Sequence, residues 1–411
     1  SDCDTCEIRG SALYYIGVRN EIPGPATVAT RDHCRIARRV TIGIKREMNM
    51  SLEARLEWRS PMAGHVDRLV INRSALQADG RWLAAGEALN RSAEVSLDPT
   101  PWCQPAGLPP IEIDLGAFRP RVELVAGRFY PRLAFGRLLG SARDTRPVRL
   151  IACDPQTKLW RIDPNHPLAA DSVRMFLRQT DDAAAPGIRL AELFDGPGMQ
   201  RLPGDPAATY FPTGALQRED NAADTDFYTR PRLTQHLDAH CRAGIANLYG
   251  RLLQPGMRVL DLMSSIASHL PETPADLQVS GLGMNPDELS ANPRLAERVV
   301  RDLNACATLP WRDDNFDCVF NTASIEYLVQ PAAVLAEVRR VLRPGGVFAV
   351  TFSDRWFPPK AIRVWRQIHP FERLALVLGL LLQAGFRDLH SETLRGVRRP
   401  QDDKYSSQRE F

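Results

Sequence analysis

The stretch RVLDLMSSIASHLP, residues Arg258–Pro271, predicts the fold of the C-terminal half of the chain. Val259, Leu260 and Leu262 form a short apolar run, which indicates a buried strand. Asp261 stands near the carboxyl end of this run, and small residues follow it. In open parallel sheets, ligands bind outside the carboxyl ends of the strands. The stretch therefore predicts a strand with a ligand-binding turn; a strand and turn without a ligand is the alternative.

The rest of residues 254–396 alternates apolar runs with helical patterns, which predicts a mostly parallel sheet with helices on both faces. Strands are predicted at 258–262, 277–282, 298–302, 316–321, 346–352 and 386–394, and helices at 232–253, 286–297 and 332–342.

These segments resemble the motifs of class I S-adenosylmethionine (SAM) dependent methyltransferases. Leu309–Phe320, LPWRDDNFDCVF, is similar to the family pattern LPFxDxSFDxV. Val334–Phe352, VLAEVRRVLRPGGVFAVTF, is similar to the family segment around RVLkPGG almost residue for residue. Met263, Ser265 and Ala267 stand where the first motif has its three glycines. The resemblance implies a Rossmann-like α/β fold, SAM as cofactor and methyl transfer as activity.

The resemblance also implies where SAM binds. Asp261 takes the acidic place of the first motif, and the serines after it are expected to face the ligand, with Met263 turned into the protein. The acid that holds the ribose falls on Gly283, so Asn285 is the nearest polar replacement. The cofactor-binding candidates are Asp261, Ser264, Ser265, Asn285, Asp302, Leu303, Asn304 and Asn321.

The acceptor is expected beside the segment that follows the fourth predicted strand. Ser324, Glu326 and Tyr327 lie there and are the catalytic candidates, as groups that orient or deprotonate an acceptor. A helix start with a core tyrosine is the alternative. Tyr228 and Arg230 are the substrate-binding candidates, because the resemblance places the segment before the sheet over the cofactor.

Residues 48–180 read as β-rich, with a half-exposed strand at Leu52–Trp58 and a hairpin formed by Pro147–Cys153 and Lys158–Ile162. The string DPNHPLA, residues Asp163–Ala169, resembles the DxNHPLAG motif of the SlyD-like branch of FKBP-type prolyl isomerases. The resemblance implies an FKBP-like domain, with isomerase activity left open. Asn165 and His166, within that motif, are expected to brace a turn by side-chain to backbone hydrogen bonds.

The predicted organisation has four parts. Residues 1–47 show no period and read as a flexible N-terminal arm, or as a segment outside the natural fold if translation begins near Met48. The FKBP-like region, 48–180, is expected to fold alone; a polar connector, 181–230, precedes the methyltransferase domain, 231–411. Its last family strand has no counterpart, because residues 401–411 are polar.

Composition places the chain among soluble globular proteins. It has 411 residues, a net charge of +3 and no apolar run long enough to cross a membrane. Because the net charge is close to zero for this length, the composition gives no reason to expect a nucleic-acid partner. Cys3 and Cys6 form one C-x-x-C without a second pair, so no metal is expected. A cytoplasmic protein acting on a small molecule or a peptide is the resulting expectation.

Two functions remain open from the sequence. One is a SAM-dependent methyltransferase with an FKBP-like accessory domain. The other is a folding helper or peptide-binding protein whose methyltransferase fold has lost its cofactor; the missing glycines and Gly283 favour it.

Overall fold

The computed structural model describes most of the chain. The described residues are 11–20, 51–77, 85, 88–89, 92–100, 103, 107–114, 124–139, 146–154, 156–157, 159–169, 171–195 and 210–399.

Two sheets contain the strands of these residues. An eleven-stranded sheet has the order β12-β11-β10-β13-β14-β1-β15-β3-β2-β9-β4, and a four-stranded sheet has the order β5-β8-β7-β6. The strands are β1 Ser11–Arg19, β2 Ser51–Arg59, β3 Ala63–Asn72, β4 Glu94–Leu97, β5 Ile111–Asp114, β6 Phe129–Pro131, β7 Pro147–Cys153, β8 Leu159–Asp163, β9 Arg174–Thr180, β10 Arg258–Leu262, β11 Gln278–Gly283, β12 Glu297–Val300, β13 Phe316–Thr322, β14 Leu342–Ser353 and β15 Arg387–Val397.

Helices cover the C-terminal half of the large sheet. The helices are α1 Ser74–Gln77, α2 Glu192–Asp195, α3 Asp224–Phe227, α4 Ala239–Gly250, α5 Pro286–Ala291, α6 Pro331–Val341, α7 Arg363–Gln367 and α8 Glu372–Gln383, with 3₁₀ segments at Arg132–Leu139 and Ile325–Tyr327.

The predicted parallel sheet is present in the C-terminal half. Strands β10 to β14 pair in parallel in the order β12-β11-β10-β13-β14. Apolar side chains of α6 and α8 pack on one face, including Val338 and Leu378. Ile245 and Leu248 of α4 pack on the other face. The carboxyl ends of these strands therefore meet along one edge, where the candidate site residues lie.

The missing last strand is supplied by the N-terminus. Strand β1 lies between β14 and β15 and is antiparallel to both. The side chains of Ile16 and Val18 are buried in the same hydrophobic cluster as α6 and α8. The prediction that residues 1–47 form a flexible arm is therefore wrong for Ser11–Arg19, since a strand inside a sheet has hydrogen-bond partners on both sides. Residues 401–411, predicted to be polar and outside the sheet, lie outside the described residues.

The β-rich region shares its sheet with the C-terminal half. Strand β3 pairs in parallel with β15, so β2, β3, β9 and β4 extend the same sheet. This region has an apolar cluster of its own, which includes Leu56 and Leu177 and reaches Phe194, beyond the predicted boundary at 180. The fold alone therefore does not separate an independent domain at residues 48–180.

The turn prediction at Asn165 and His166 is confirmed. Asn165 Oδ1 accepts hydrogen bonds from the N–H groups of Gly107 and Leu108, and His166 Nδ1 accepts one from Leu168 N–H. The predicted helix at 232–253 is shorter, because Asp238 caps α4 by accepting from Cys241 N–H at 2.9 Å. No helix in the described part of the chain is long and apolar enough to cross a bilayer.

Candidate active site

The turn after β10 binds its own polar groups. The Ser264 hydroxyl donates to Asp261 Oδ2 at 2.6 Å, and Ser265 donates to Glu288 Oε2 at 2.6 Å. Burial raises the pKa of Asp261 to about 6, although hydrogen bonds from Ser264 and Ser268 oppose that rise. The prediction that both serines face a ligand is therefore not met in this conformation.

The same turn lies directly against the end of β11. Met263 has a φ of 61°, in the left-handed region, and Ser264 N–H donates to Leu282 O at 2.7 Å. The Ser264 carbonyl oxygen would lie 2.2 Å from a Cβ placed on Gly283. An acid at position 283, as the family has for the ribose, would therefore require the turn after β10 to move.

The Asn285 side chain makes its hydrogen bonds to the protein backbone. It is the N-cap of α5, and its Oδ1 accepts from Asp287 N–H at 2.9 Å and from Glu288 N–H at 3.1 Å. Its amide nitrogen donates to the carbonyl of Tyr228 at 2.9 Å. The side chain thus joins α5 to the segment after α3, and a ribose contact would have to displace these bonds.

The three candidates after β12 have separate roles. Asp302 Oδ1 accepts from Asn304 N–H at 2.8 Å, while Leu303 is buried in the core. Asn304 donates to Asp224 Oδ2 at 2.8 Å and to Tyr327 O at 2.9 Å. Asp302 and Asn304 line a cavity of about 680 Å³ between this strand end and residues 211–224. This cavity is where the resemblance expects the adenine side of SAM.

The end of β13 holds buried acceptors without partners. Asn321 Oδ1 and Glu326 Oε2 have no hydrogen-bond partner among the described residues, and their side chains are 0% and 1% exposed. Burial raises the pKa of Glu326 to about 7, partly opposed by the charge of Arg373. A carboxyl group with this pKa is suited to exchange a proton near neutral pH.

Ser324 and Tyr327 are engaged by the backbone. The Ser324 hydroxyl donates to Thr322 O at 2.8 Å, and the Tyr327 hydroxyl accepts from Phe357 N–H at 2.8 Å. Both side chains therefore shape the loop, and the assignment of Ser324 as a proton acceptor is not supported. Of the three catalytic candidates, Glu326 retains an unused polar atom.

An aromatic cluster lies beside Glu326. The Phe357 ring packs against Tyr327 and Phe227, with ring centroids 6.0 Å and 5.9 Å apart. The Arg232 guanidinium lies 4.5 Å from the centroid of Phe227 and 5.4 Å from that of Tyr228. Burial raises the pKa of Tyr228. Tyr228 thus belongs to this aromatic cluster, whereas Arg230 is exposed, and their role in substrate binding stays a prediction.

A buried ionic cluster fixes the segment that covers the strand ends. Arg218 donates to Asp224 at 2.7 Å, and Lys360, which is 0% exposed, lies 3.2 Å from Asp224 Oδ1 and 3.0 Å from Asp220 Oδ2. Lysine is almost never fully buried unless it is paired. Sequence reasoning missed this cluster, because Lys360 and Asp224 lie far apart in the chain.

The residues present fit SAM at one end. Asn321 Oδ1 is an unpaired acceptor that suits the cationic methionine end of SAM, and Asp302 borders the cavity on the adenine side. The ribose contact of the family is absent, since Gly283 and Asn285 cannot make it in this arrangement. No cluster of His, Cys, Asp and Glu suited to a metal occurs within the described ranges.

Comparison with known proteins finds a related family for this part of the chain. A family model described as a methyltransferase domain matches residues 264–350. This part of the chain is therefore similar to the methyltransferase domains of class I SAM-dependent enzymes. It spans β11 to β14 and includes Asn321, Glu326 and Tyr327, so these candidates lie inside the matched domain.

Curated relatives match over the same half. A probable phthiotriol/phenolphthiotriol dimycocerosates methyltransferase of Mycobacterium ulcerans is 31% identical over 160 residues, 37% of this chain and 58% of the relative. A ubiquinone/menaquinone biosynthesis C-methyltransferase of Geobacter sulfurreducens is 28% identical over 144 residues, 33% of this chain and 54% of the relative. The chain thus spans about half the length of these curated relatives.

Solved structures give a weaker likeness. A SAM-dependent methyltransferase from Aquifex aeolicus is 19% identical, with a TM-score of 0.27 over 34% of this chain and 78% of that one. A score this low carries no argument about the site.

Proposed function

We propose that this protein transfers the methyl group of SAM to a small-molecule or peptide acceptor, with Glu326 as the general base. The observation that carries the proposal is the unpaired Oε2 of Glu326 at the end of β13, inside the matched domain. A buried unpaired acceptor costs about 1–3 kcal/mol. Such a group in a native protein calls for an explanation, and a catalytic role is one that fits a carboxyl group at this place.

In this proposal the chain supplies position and proton transfer. SAM, when bound, provides an electrophilic methyl group. Asp261 and Asn321 hold its cationic methionine end, and Asp302 faces its adenine end. Glu326 takes the proton from the acceptor as the new bond forms, and the Phe227, Tyr228 and Phe357 rings exclude water from the reacting groups.

A second candidate is favoured by the turn after β10. There Ser264, Ser265 and Asn285 are bonded to the protein itself, and Gly283 has no room for an acid. In this reading the methyltransferase fold is not catalytic, and the protein is a folding helper or peptide-binding protein of prolyl isomerase type. The FKBP-like resemblance of residues 48–180 supports it, as does the Asn165–His166 turn.

One experiment separates the two candidates. SAM is titrated by calorimetry, and formation of S-adenosylhomocysteine is then followed with a panel of hydroxyl, amine and carbon-acid acceptors and proline peptides. Saturable binding with turnover supports the methyltransferase. No heat at millimolar SAM contradicts it, and faster isomerisation of a proline peptide would then favour the second candidate. Location in the cytoplasm is part of the proposal and is tested separately by fractionation.

A further inference from the structure

A second cavity lies behind the turn that follows β10. It has a volume of about 480 Å³ between α4, the end of the turn and the residues after α5. Its lining includes two arginines, Arg242 and Arg294, together with His269 and Gln235. None of the lining residues that the structure describes is acidic. The cavity is therefore positive and has not been used by the site described above.

Both arginines have buried nitrogens without a partner. Nε of Arg242 and one terminal nitrogen of Arg294 are inaccessible to solvent and have no hydrogen-bond partner among the described residues. A guanidinium has five donors in a planar fork, and leaving buried donors unpaired is costly. Both guanidinium groups therefore have donors that the protein leaves unpaired, and both line the same cavity, which suits an anionic ligand.

The wall of the cavity is fixed in place. Asn292, which is 0% exposed, donates to the Ser268 hydroxyl at 3.0 Å and to Ser265 O at 2.9 Å. Burial and the charge of Arg242 lower the pKa of His269 to about 4, so the imidazole is neutral and keeps one N–H to donate. A site assembled in advance loses less entropy when a ligand binds.

We propose that this cavity binds the phosphate or diphosphate group of a small molecule through Arg242 and Arg294. Guanidinium groups match phosphate oxygens in charge and geometry, and the volume leaves room for more than one phosphoryl group. The cavity contacts Ser268, which also bonds to Asp261, so binding stabilises the turn that carries the cofactor candidates. The proposal does not depend on methyl transfer.

The test uses the full chain with inorganic phosphate and inorganic diphosphate. Binding is measured by calorimetry and by thermal shift, with sodium chloride added to keep ionic strength constant. Saturable binding is expected, tighter for diphosphate. Arg242→Gln and Arg294→Gln each weaken it about tenfold or more, while Arg312→Gln, an exposed arginine outside the cavity, changes it less than twofold.

Four results would overturn the proposal. They are the absence of saturable binding, equal weakening by Arg312→Gln, binding of malonate as tight as that of phosphate, and competition between SAM and phosphate. The last would show that the arginines serve the carboxylate of SAM. Misfolding is checked by melting temperature without anions, which stays unchanged or rises in both variants, because each removes a buried donor nitrogen that has no partner among the described residues.

Discussion

The ends of β10 and β13 lie side by side in the sheet, but they differ in whether their buried polar atoms have hydrogen-bond partners. At the end of β10 and in the turn that follows, Asp261, Ser264 and Ser265 each have a partner within the protein. At the end of β13 and in the segment that follows, Asn321 and Glu326 each keep a buried acceptor with no partner among the described residues. One end therefore contributes to stability, whereas the other holds groups that cost stability.

This difference locates the chemistry away from the motif that first indicated it. The turn after β10 fills its own space, so it forms a wall of the site. The unpaired acceptors at the end of β13 call for an explanation, and use by a ligand or a reaction is the one that these predictions test. Four predictions test this comparison, from the largest expected effect to the smallest.

Glu326→Gln is expected to reduce the rate of methyl transfer 10²–10⁴-fold, the usual contribution of a general base. The readout is kcat with an acceptor found in the screen, together with SAM affinity, which is expected to change little. Glu219→Gln is the matched control, because Glu219 makes an exposed ion pair with Arg366. Normal turnover by Glu326→Gln would remove the catalytic role from β13.

Gly283→Asp restores the family's acid and is expected to lower the free energy of unfolding by at least about 1–3 kcal/mol, because the new Cβ would overlap the Ser264 carbonyl. No gain in SAM affinity is expected. Gly379→Ala is the control, since nothing lies within 4 Å of its new Cβ and alanine favours a helix. A stable Gly283→Asp protein that binds SAM more tightly would show that the turn opens.

The sequence predicts an element of this fold well where the residues that indicate it are neighbours in the chain. Strands β10 to β14 were predictable, since short runs rich in apolar residues alternate there with turn and helix patterns. The apolar run LYYIGV, residues 13–18, is a local strand signal that sequence reasoning overlooked. The place of β1 in the sheet was not predictable, because its neighbour β14 lies at the other end of the chain, where Leu13 pairs with Ser353.

The site follows the same rule. Glu326 and Tyr327 were found because the fold fixes the position after β13. The partners of Asn285 and Asn304 were missed, since they come from residues 224–232, which sequence reasoning assigned to a connector and a helix start. Lys360 was missed because burial of a lysine depends on Asp220 and Asp224, whose distance in space no sequence pattern gives.

The third prediction concerns pH. Burial raises the pKa of Glu326 from its ordinary 4.5 to about 7, so the folded state binds the proton more tightly than the unfolded state. The resulting stability is present below pH 4.5 and is lost as the pH rises through 7. The Glu326→Gln variant has no carboxyl group at this position, so it does not lose stability in this way as the pH rises.

The stability of Glu326→Gln relative to wild type should therefore rise by on the order of 2 kcal/mol between pH 4.5 and pH 8. Urea unfolding at both pH values measures the difference in free energy of unfolding between variant and wild type. The titration of Asp261 cancels from this difference, because both proteins contain that residue. The methyl-transfer rate of the wild type should rise over the same range, as Glu326 loses its proton. A stability difference independent of pH would mean that this carboxyl group is solvated.

The smallest effect is expected at Ser265, in the turn after β10, where the polar side chains are bonded to the protein. Its hydroxyl donates to Glu288 Oε2, while Glu288 Oε1 accepts from Arg232 N–H at 2.7 Å. Ser265→Ala should thus lower the free energy of unfolding by about 0.5–1.5 kcal/mol, the usual net value of one hydrogen bond, and leave SAM affinity unchanged. Ser324→Ala, which also removes one bond from a hydroxyl to the protein, is the control. If Ser265→Ala instead weakens SAM binding at unchanged stability, the hydroxyl turns to the ligand, and the two strand ends act together.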